Sequence, residues 1–311
     1  MPNNLYHSIQ LFLQQILSFN LTQNRESSEI TVDVDRDLFT YEADMVANPC
    51  FKDCSAQIHT PGAFFEGRAA LDAAVAAQPA FAAMSPRERA DILTRAFELL
   101  HERVDDLALL MTLEMGKPLA EARGEIAYAA EFFRHFAGEA VRIDGGYQTA
   151  PAGGARFLVT RQPVGPCLLI TPWNFPHQIN LAKIGPALAA GNTLVLKPAP
   201  DTPWAAAVLG ELVAEHTDFP AGVVNIVTAS DHSVGALLSK DPRVDMVSFT
   251  GSTNTGRAVM ADGAATLKKV FLELGGKSAF LVLDDADLAG ACSMAAFTAS
   301  MHAGQGCAIT T

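Results

Sequence analysis

Three side chains in the second half of the chain could together carry out chemistry on a carbonyl group. Cys307 follows a Gly-Gln-Gly sequence, and a cysteine thiolate is a strong nucleophile when its pKa is lowered. Asn174 lies in a loop bracketed by Pro172 and Pro176, where a rigid amide could donate a hydrogen bond to an oxyanion. Glu273 lies in an apolar run, and burial there would raise its pKa toward that of a general base.

Each of these residues also has a purely structural interpretation. Most cysteines are small buried hydrophobic residues, and Asn174 could form an Asx-turn or cap the following helix. Glu273 could be a structural carboxylate bonded to backbone amides. His302, shortly before Cys307, suggests a cysteine–histidine hydrolase, but that function would leave the glycine-containing turn described next without a role.

Two further features are typical of a nucleotide site. The run "GSTNTG" at 251–256 follows an apolar stretch and opens a helix, so Gly251, Ser252 and the following backbone N–H groups could receive a phosphate at the positive end of that helix. It is not the G-x-G-x-x-G fingerprint. Lys197 ends another apolar run, where it could contact a ribose or phosphate or serve as an ordinary edge lysine.

Taken together, these groups predict the oxidation of an aldehyde. A thiol attacks the carbonyl to give a thiohemiacetal, and an amide stabilises the oxyanion. Hydride transfer to a nicotinamide then gives a thioester, and water activated by a carboxylate hydrolyses it.

These residues must be positioned by strands and helices that alternate along the chain, which predicts an α/β fold with a mainly parallel sheet. Ligands in such sheets bind at the carboxyl ends of the strands. The predicted strands are the β-rich runs at 167–171, 193–197, 223–227, 245–250, 269–274 and 278–283. The predicted helices between them are near 178–190, 202–215, 232–240 and 254–263.

The stretch before these strands is predicted to be helical from 66 to 143. Ser85 and Glu88 form a capping-box pattern with Pro86 at the first helical position. Further helices are expected at 104–115 and 119–140, and a hairpin or extended arm over 146–165. The first 50 residues contain no glycine, whereas alanine and glycine are abundant after about residue 62, so a boundary is expected near 50–62.

Composition excludes several classes of partner. The net charge of -12 argues against a nucleic-acid partner. The apolar stripe at 5–21 is interrupted by polar residues and is expected to be a soluble amphipathic helix, so no membrane partner is predicted. The scattered, odd set of five cysteines favours a reducing, cytoplasmic location. Cys50 and Cys54 lack a second ligand pair, so no metal site is expected.

The sequence resembles the aldehyde dehydrogenase superfamily, in its succinate-semialdehyde dehydrogenase-like branch, over about residues 66 to 311. The motifs that carry the resemblance occur in the family's order: "LEMGKP", "TPWNFP", "GNTLVLKPA", "FPAGVVNIV", "FTGSTNTGR", "LELGGKS" and "GQGC". The resemblance implies Cys307 as the nucleophile, Glu273 as the general base, and Asn174 with the Cys307 backbone N–H as the oxyanion hole. It also implies an NAD or NADP site formed by Thr171, Trp173, Lys197, Gly251, Ser252 and Leu274.

The resemblance predicts a domain organisation as well. We expect an atypical extension at 1–61, a Rossmann-like NAD(P)-binding domain at 62–274, and the beginning of a catalytic domain at 275–311. The stretch 146–165 would begin the family's oligomerisation arm, so the intact enzyme is expected to be a homodimer or homotetramer. Many NAD-preferring members carry a glutamate where this chain has Pro200, which makes NADP plausible.

The predicted function is oxidation of a small aldehyde, succinate semialdehyde among the candidates, to a carboxylic acid. Because family members continue well past the cysteine, we expect this chain to be C-terminally truncated and weakly active or inactive. Two alternatives are a CoA-acylating relative, against which Glu273 counts, and a non-catalytic NAD(P)-binding fragment or pseudoenzyme.

Overall fold

A computed structural model describes residues 57–59 and 63–309 of the chain. The strands of this part are β1 (Gln57–His59), β2 (Gly146–Thr149), β3 (Arg156–Val159), β4 (Cys167–Ile170), β5 (Leu194–Lys197), β6 (Val224–Val227), β7 (Met246–Gly251) and β8 (Lys269–Leu274). Its helices are α1 (Ala63–Ala83), α2 (Pro86–Glu102), α3 (Val104–Met115), α4 (Leu119–Ala140), α5 (Gln178–Ala189), α6 (Pro203–His216), α7 (Ser233–Lys240), α8 (Thr253–Ala264) and α9 (Leu288–Ser300).

Six of these strands form one parallel sheet in the order β1-β6-β5-β4-β7-β8. Strand β4 lies inside the sheet, where Ile170 pairs with Lys197 of β5 on one side and with Phe249 of β7 on the other. Strands β5 and β6 follow β4 on one side of the sheet, and β7 and β8 follow on its other side. The strand order therefore reverses at β4. The crevice at such a reversal is where α/β sheets bind ligands.

The central strands are buried on both faces, as expected of a parallel sheet covered by helices. Strands β4, β5 and β6 are almost entirely buried. One core cluster joins the sheet to α1, α7 and α8 through Ala70, Leu71, Ala74, Leu168, Val195, Val227, Ala229, Val234, Leu238, Val244, Val247, Phe249 and Val259. The parallel α/β fold is therefore confirmed.

Helix α4 packs against α2, α3 and α5. The capping box at the start of α2 is present, because Ser85 Oγ accepts the Glu88 N–H at 3.2 Å and the Ser85 N–H donates to the Glu88 carboxylate at 2.9 Å. Helix α3 ends at Gly116 in the left-handed conformation, which glycine adopts without strain. The helices predicted at 104–115 and 119–140 are confirmed, as is the hairpin, formed by antiparallel pairing of β2 with β3.

The predicted strands up to 274 are confirmed within two residues, but the strand predicted at 278–283 is wrong. In that stretch only Ser278 makes an isolated bridge. Leu281 and Leu283 are exposed, because β8 is the edge of the sheet and no described strand pairs beyond it. Helix α9 was not predicted.

The sheet also begins earlier than the sequence indicated. Strand β1 pairs with β6, yet it lies inside the stretch 1–61 that was assigned to an extension, so the boundary at 62 needs correction. The predicted helix at 5–21, Cys50 and Cys54 lie outside the described residues. Within 57–59 and 63–309, no group of three or more His, Cys, Asp or Glu side chains could hold a metal ion, and no helix has the length and apolar character needed to span a membrane.

Candidate active site

A cavity of about 470 Å³ opens at the carboxyl ends of β4, β5 and β7, where the strand order reverses. Helices α7 and α8 form its other walls. Four predicted cofactor residues line it, namely Thr171, Trp173, Lys197 and Gly251. Its size and its apolar walls with a few polar groups are typical of a small-molecule or cofactor pocket.

The other two predicted cofactor residues, Ser252 and Leu274, lie beside this cavity without lining it. Ser252 is the N-cap of α8, and its Oγ accepts the Thr255 N–H at 3.2 Å. Leu274 packs on Gly256, where an added Cβ would lie 2.6 Å from a Leu274 methyl group. Without a side chain on Gly256, α8 can lie close to the end of β8, and its N-terminus remains next to the cavity to receive an anion.

Lys197 is buried although it ends a strand. Desolvation lowers the pKa of its ammonium, and the carboxylates of Asp201 and Asp231 oppose that effect. Pro200 and Asp201 also line the cavity. Lys197 and Asp201 therefore line the same cavity.

The structure brings Asn174 to the loop that carries Cys307. Asn174 Nδ2 donates a hydrogen bond of 2.6 Å to the carbonyl oxygen of Gln305. This acceptor fixes the amide orientation, since a reversed amide would place two oxygens against each other. An amide nitrogen has two hydrogens, so the second can donate a hydrogen bond to an oxyanion. Cys307 is an exposed free thiol.

The prediction that Glu273 is buried is wrong. Its side chain is exposed, because β8 is an edge strand and no described element covers the outer part of it. Within the described residues Glu273 forms no hydrogen bond with Cys307 or Asn174. The structure therefore assembles Asn174 with the Cys307 loop, and leaves Glu273 as a separate carboxylate on β8.

Lys183 was missed by the sequence analysis. It is buried in α5, and its Nζ donates to Ser248 Oγ of β7 at 2.7 Å. Desolvation lowers its pKa to about 8, and the carboxylate of Glu273 opposes this shift. The signal was available, since a lysine at the centre of an otherwise apolar helix is unusual.

A buried ion pair under the Asn174 loop was also missed. Lys117 contacts the Glu125 carboxylate, with both side chains fully buried, and donates a second hydrogen bond of 2.9 Å to the Asn174 carbonyl oxygen. Glu125 Oε1 accepts the N–H groups of His177 and Gln178, at 3.0 and 3.1 Å. These contacts hold the loop from Asn174 to the start of α5.

Comparisons with known proteins agree on one family. The model of the aldehyde dehydrogenase family matches residues 42–311. The Escherichia coli K12 protein GabD, named as an NADP(+) succinate-semialdehyde dehydrogenase, is 50% identical over 266 residues, which cover 86% of this chain and 55% of that protein. A glutarate-semialdehyde dehydrogenase of Pseudomonas aeruginosa is 48% identical over 262 residues, covering 84% of this chain and 54% of the relative.

Solved structures give the same result. A crystal structure of an E. coli NADP-dependent enzyme has a TM-score of 0.76 and 50% identity, and the match covers 79% of this chain and 51% of that one. The chain thus spans about half the length of the curated relatives it matches.

Proposed function

Because the chain belongs to the aldehyde dehydrogenase family, we propose that the protein oxidises a small aldehyde to a carboxylic acid, with NADP or NAD as the hydride acceptor. The observation that carries the proposal is the hydrogen bond from Asn174 to Gln305. It joins an oxyanion donor to the loop of a free thiol, next to a cavity that has Trp173 in its wall.

The chain's own residues account for the chemistry on the substrate. The Cys307 thiolate attacks the aldehyde carbon, and the free N–H of the Asn174 amide stabilises the oxyanion of the thiohemiacetal. When bound, NAD(P) supplies an acceptor for the hydride that leaves this carbon. The resulting thioester is hydrolysed by water, and we assign Glu273 as the general base that removes a proton from this water.

The cavity fits the cofactor in size and polarity. Its volume of about 470 Å³ suits a large part of a dinucleotide, and Gly251 at its edge allows the Phe249 ring to pack closely there. An added Cβ on Gly251 would lie 2.6 Å from the Phe249 ring. Thr171, Trp173 and Lys197 would hold the nucleotide, with Ser252 at the helix N-terminus and Leu274 beside it.

The substrate class rests on the relatives. The curated relatives described above are named for succinate and glutarate semialdehydes, which are short aldehydes with a carboxylate at the far end. We therefore propose a short semialdehyde of this kind, with succinate semialdehyde as the first compound to test.

We also propose that the NAD(P)-binding domain begins at β1, which pairs within its sheet, and that the catalytic domain begins at residue 275. We propose a cytoplasmic location and a homodimer or homotetramer as well. The free thiols of Cys167, Cys292 and Cys307 support a reducing compartment. Exposed Tyr147 and Leu158 on the β2–β3 hairpin support an association surface.

The proposal is tested by following the absorbance of the reduced cofactor with succinate semialdehyde and NADP or NAD. The protein is used at a concentration comparable with the cofactor, so that slow turnover is detected. We expect reduced cofactor from the wild type and none from Cys307→Ala. The matched control is Cys292→Ala, which removes an exposed thiol from α9 and should retain the activity. A wild type that binds NADP but never reduces it would refute the proposal.

A further inference from the structure

The N-terminal end of α4 contacts both loops of the candidate active site. Lys117 precedes this helix, and Glu121 and Glu125 lie one turn apart on it, so that their side chains share a face. We refer to Lys117, Glu121 and Glu125 as the α4 bracket. None of the three was assigned a role by the sequence analysis, although Lys117 lies in the "LEMGKP" motif.

Two residues of the α4 bracket, Lys117 and Glu125, hold the Asn174 loop. Lys117 donates to the Asn174 carbonyl oxygen at 2.9 Å and lies 3.9 Å from the centre of the Phe175 ring. Glu125 accepts the N–H groups of His177 and Gln178 at the start of α5. Both side chains of the Lys117–Glu125 pair are fully buried, so water cannot replace either partner. Loss of one side chain would leave the charge of the other buried and unpaired.

The third residue of the α4 bracket, Glu121, holds the loop before Cys307. The Glu121 carboxylate accepts the backbone N–H of His302. His302 and Ala303 have φ values of 53° and 56°, a left-handed conformation that costs non-glycine residues of order 1–2 kcal/mol each and persists only where surrounding contacts enforce it. The His302 ring also lies 4.7 Å from the Phe175 ring, so the two loops touch directly.

We propose that the α4 bracket is a positioning device that sets the placement of the Asn174 amide relative to the Cys307 loop. Glu121 fixes the turn at 301–304, Lys117 and Glu125 fix the loop at 174–178, and one rigid helix end joins them. The proposal rests on the roles assigned above to Asn174 and Cys307. The three bracket residues touch neither substrate nor cofactor in this scheme, and act through the two loops.

The test uses Glu121, because it is only half-buried and its replacement spares the core. Glu121→Ala removes the acceptor, whereas Glu121→Gln retains an oxygen that can accept the His302 N–H. The matched control is Glu131→Ala, which removes an exposed carboxylate paired with Arg134 farther along the same helix. Glu125→Gln is the more direct variant, but it leaves Lys117 buried without a charged partner and so endangers folding.

Two measurements are made on each variant. The first is amide hydrogen exchange of the peptide that spans 301–307, which requires no activity. We expect Glu121→Ala to speed exchange there roughly tenfold or more, because it removes a hydrogen bond to a charged acceptor. In Glu121→Gln and Glu131→Ala the exchange rate should stay within about twofold of the wild-type rate. The second is the single-turnover rate of cofactor reduction, which should fall in Glu121→Ala with the Kd for NADP unchanged.

The outcomes separate the two proposals. If exchange at 301–307 is the same in Glu121→Ala as in the wild type, or rises equally across the whole chain, the bracket proposal is wrong. If Glu121→Gln behaves like Glu121→Ala in both measurements, the hydrogen bond to His302 does not position the loop, and the bracket proposal is again wrong. If exchange responds as expected but the wild type reduces no cofactor, the bracket stands and the proposed function fails.

Discussion

His177 gives the chain a pH-dependent stability that can be measured without any activity. Its side chain is completely buried, and neither ring nitrogen has a hydrogen-bond partner among the described residues. Desolvation, reinforced by the nearby Lys117 cation, lowers its pKa from 6.5 to about 3. The folded protein therefore holds this imidazole neutral over the range in which the unfolded chain protonates it.

The sign and size follow from proton linkage. Below about pH 6.5 the unfolded chain binds a proton at His177 and the folded chain does not, so stability falls as the pH drops toward 3. At about pH 5, which is about 1.5 units below the unfolded pKa, this single group destabilises the folded state by about 2 kcal/mol relative to about pH 7.5.

The perturbation is His177→Leu, which replaces the ring by an apolar side chain of similar size. The assay is the free energy of unfolding from urea titrations at both pH values. We expect the wild type to lose about 2 kcal/mol more than the variant between about pH 7.5 and about pH 5. At the higher pH the variant should be at least as stable as the wild type, because it no longer buries an unpaired polar group.

The matched control is His135→Leu, which removes a histidine that is exposed on α4 and should retain the wild-type pH dependence. Equal losses in the wild type and in His177→Leu would refute the reasoning, since they would show that the buried imidazole takes up its proton in the folded state.

Three further predictions concern other parts of the structure. Lys117→Met should lower the free energy of unfolding by about 3–5 kcal/mol in urea titrations, because it leaves the Glu125 carboxylate buried without its cation; a loss below about 1 kcal/mol would contradict the burial of this pair. Pro200→Glu should weaken NADP binding relative to NAD in calorimetric titrations, because a carboxylate in the cavity wall would repel the 2′-phosphate; equal changes for both cofactors would place the phosphate elsewhere. Gly222→Ala should cost at least about 1–3 kcal/mol of unfolding free energy, because φ is +81° and the new Cβ would lie 2.8 Å from the Ala73 carbonyl oxygen; a neutral effect would show that the turn can relax.

The fold and the position of the cavity could be predicted from the sequence because both depend on local patterns. β-rich runs alternating with alanine-rich stretches indicate parallel βαβ units, and parallel strands bring their carboxyl ends to one edge. Lys197 and Gly251 follow from that rule and line the cavity, as does Thr171, which the resemblance implied. The roles assigned to them, and to Cys307, stay predictions.

Other features depended on contacts that no local pattern encodes. The burial of Glu273 was inferred from apolar neighbours in its own strand, but burial depends on what covers the strand, and β8 is the edge of the sheet among the described residues. The run at 278–283 has the composition of a strand and no described strand to pair with. Lys117 reaches Asn174 across a long stretch of chain, and sequence separation of that kind leaves no periodic signal.

The most direct test of covalent catalysis at Cys307 is the mass of the peptide that carries it. The Glu273→Gln variant is mixed with succinate semialdehyde and NADP, quenched in acid, digested and analysed by mass spectrometry. If Cys307 attacks the aldehyde and Glu273 activates the hydrolytic water, the peptide gains a succinyl group as a thioester, together with one reduced cofactor per adduct. Formation of reduced cofactor with no adduct on Cys307, or with the adduct on Cys292 instead, would contradict the account.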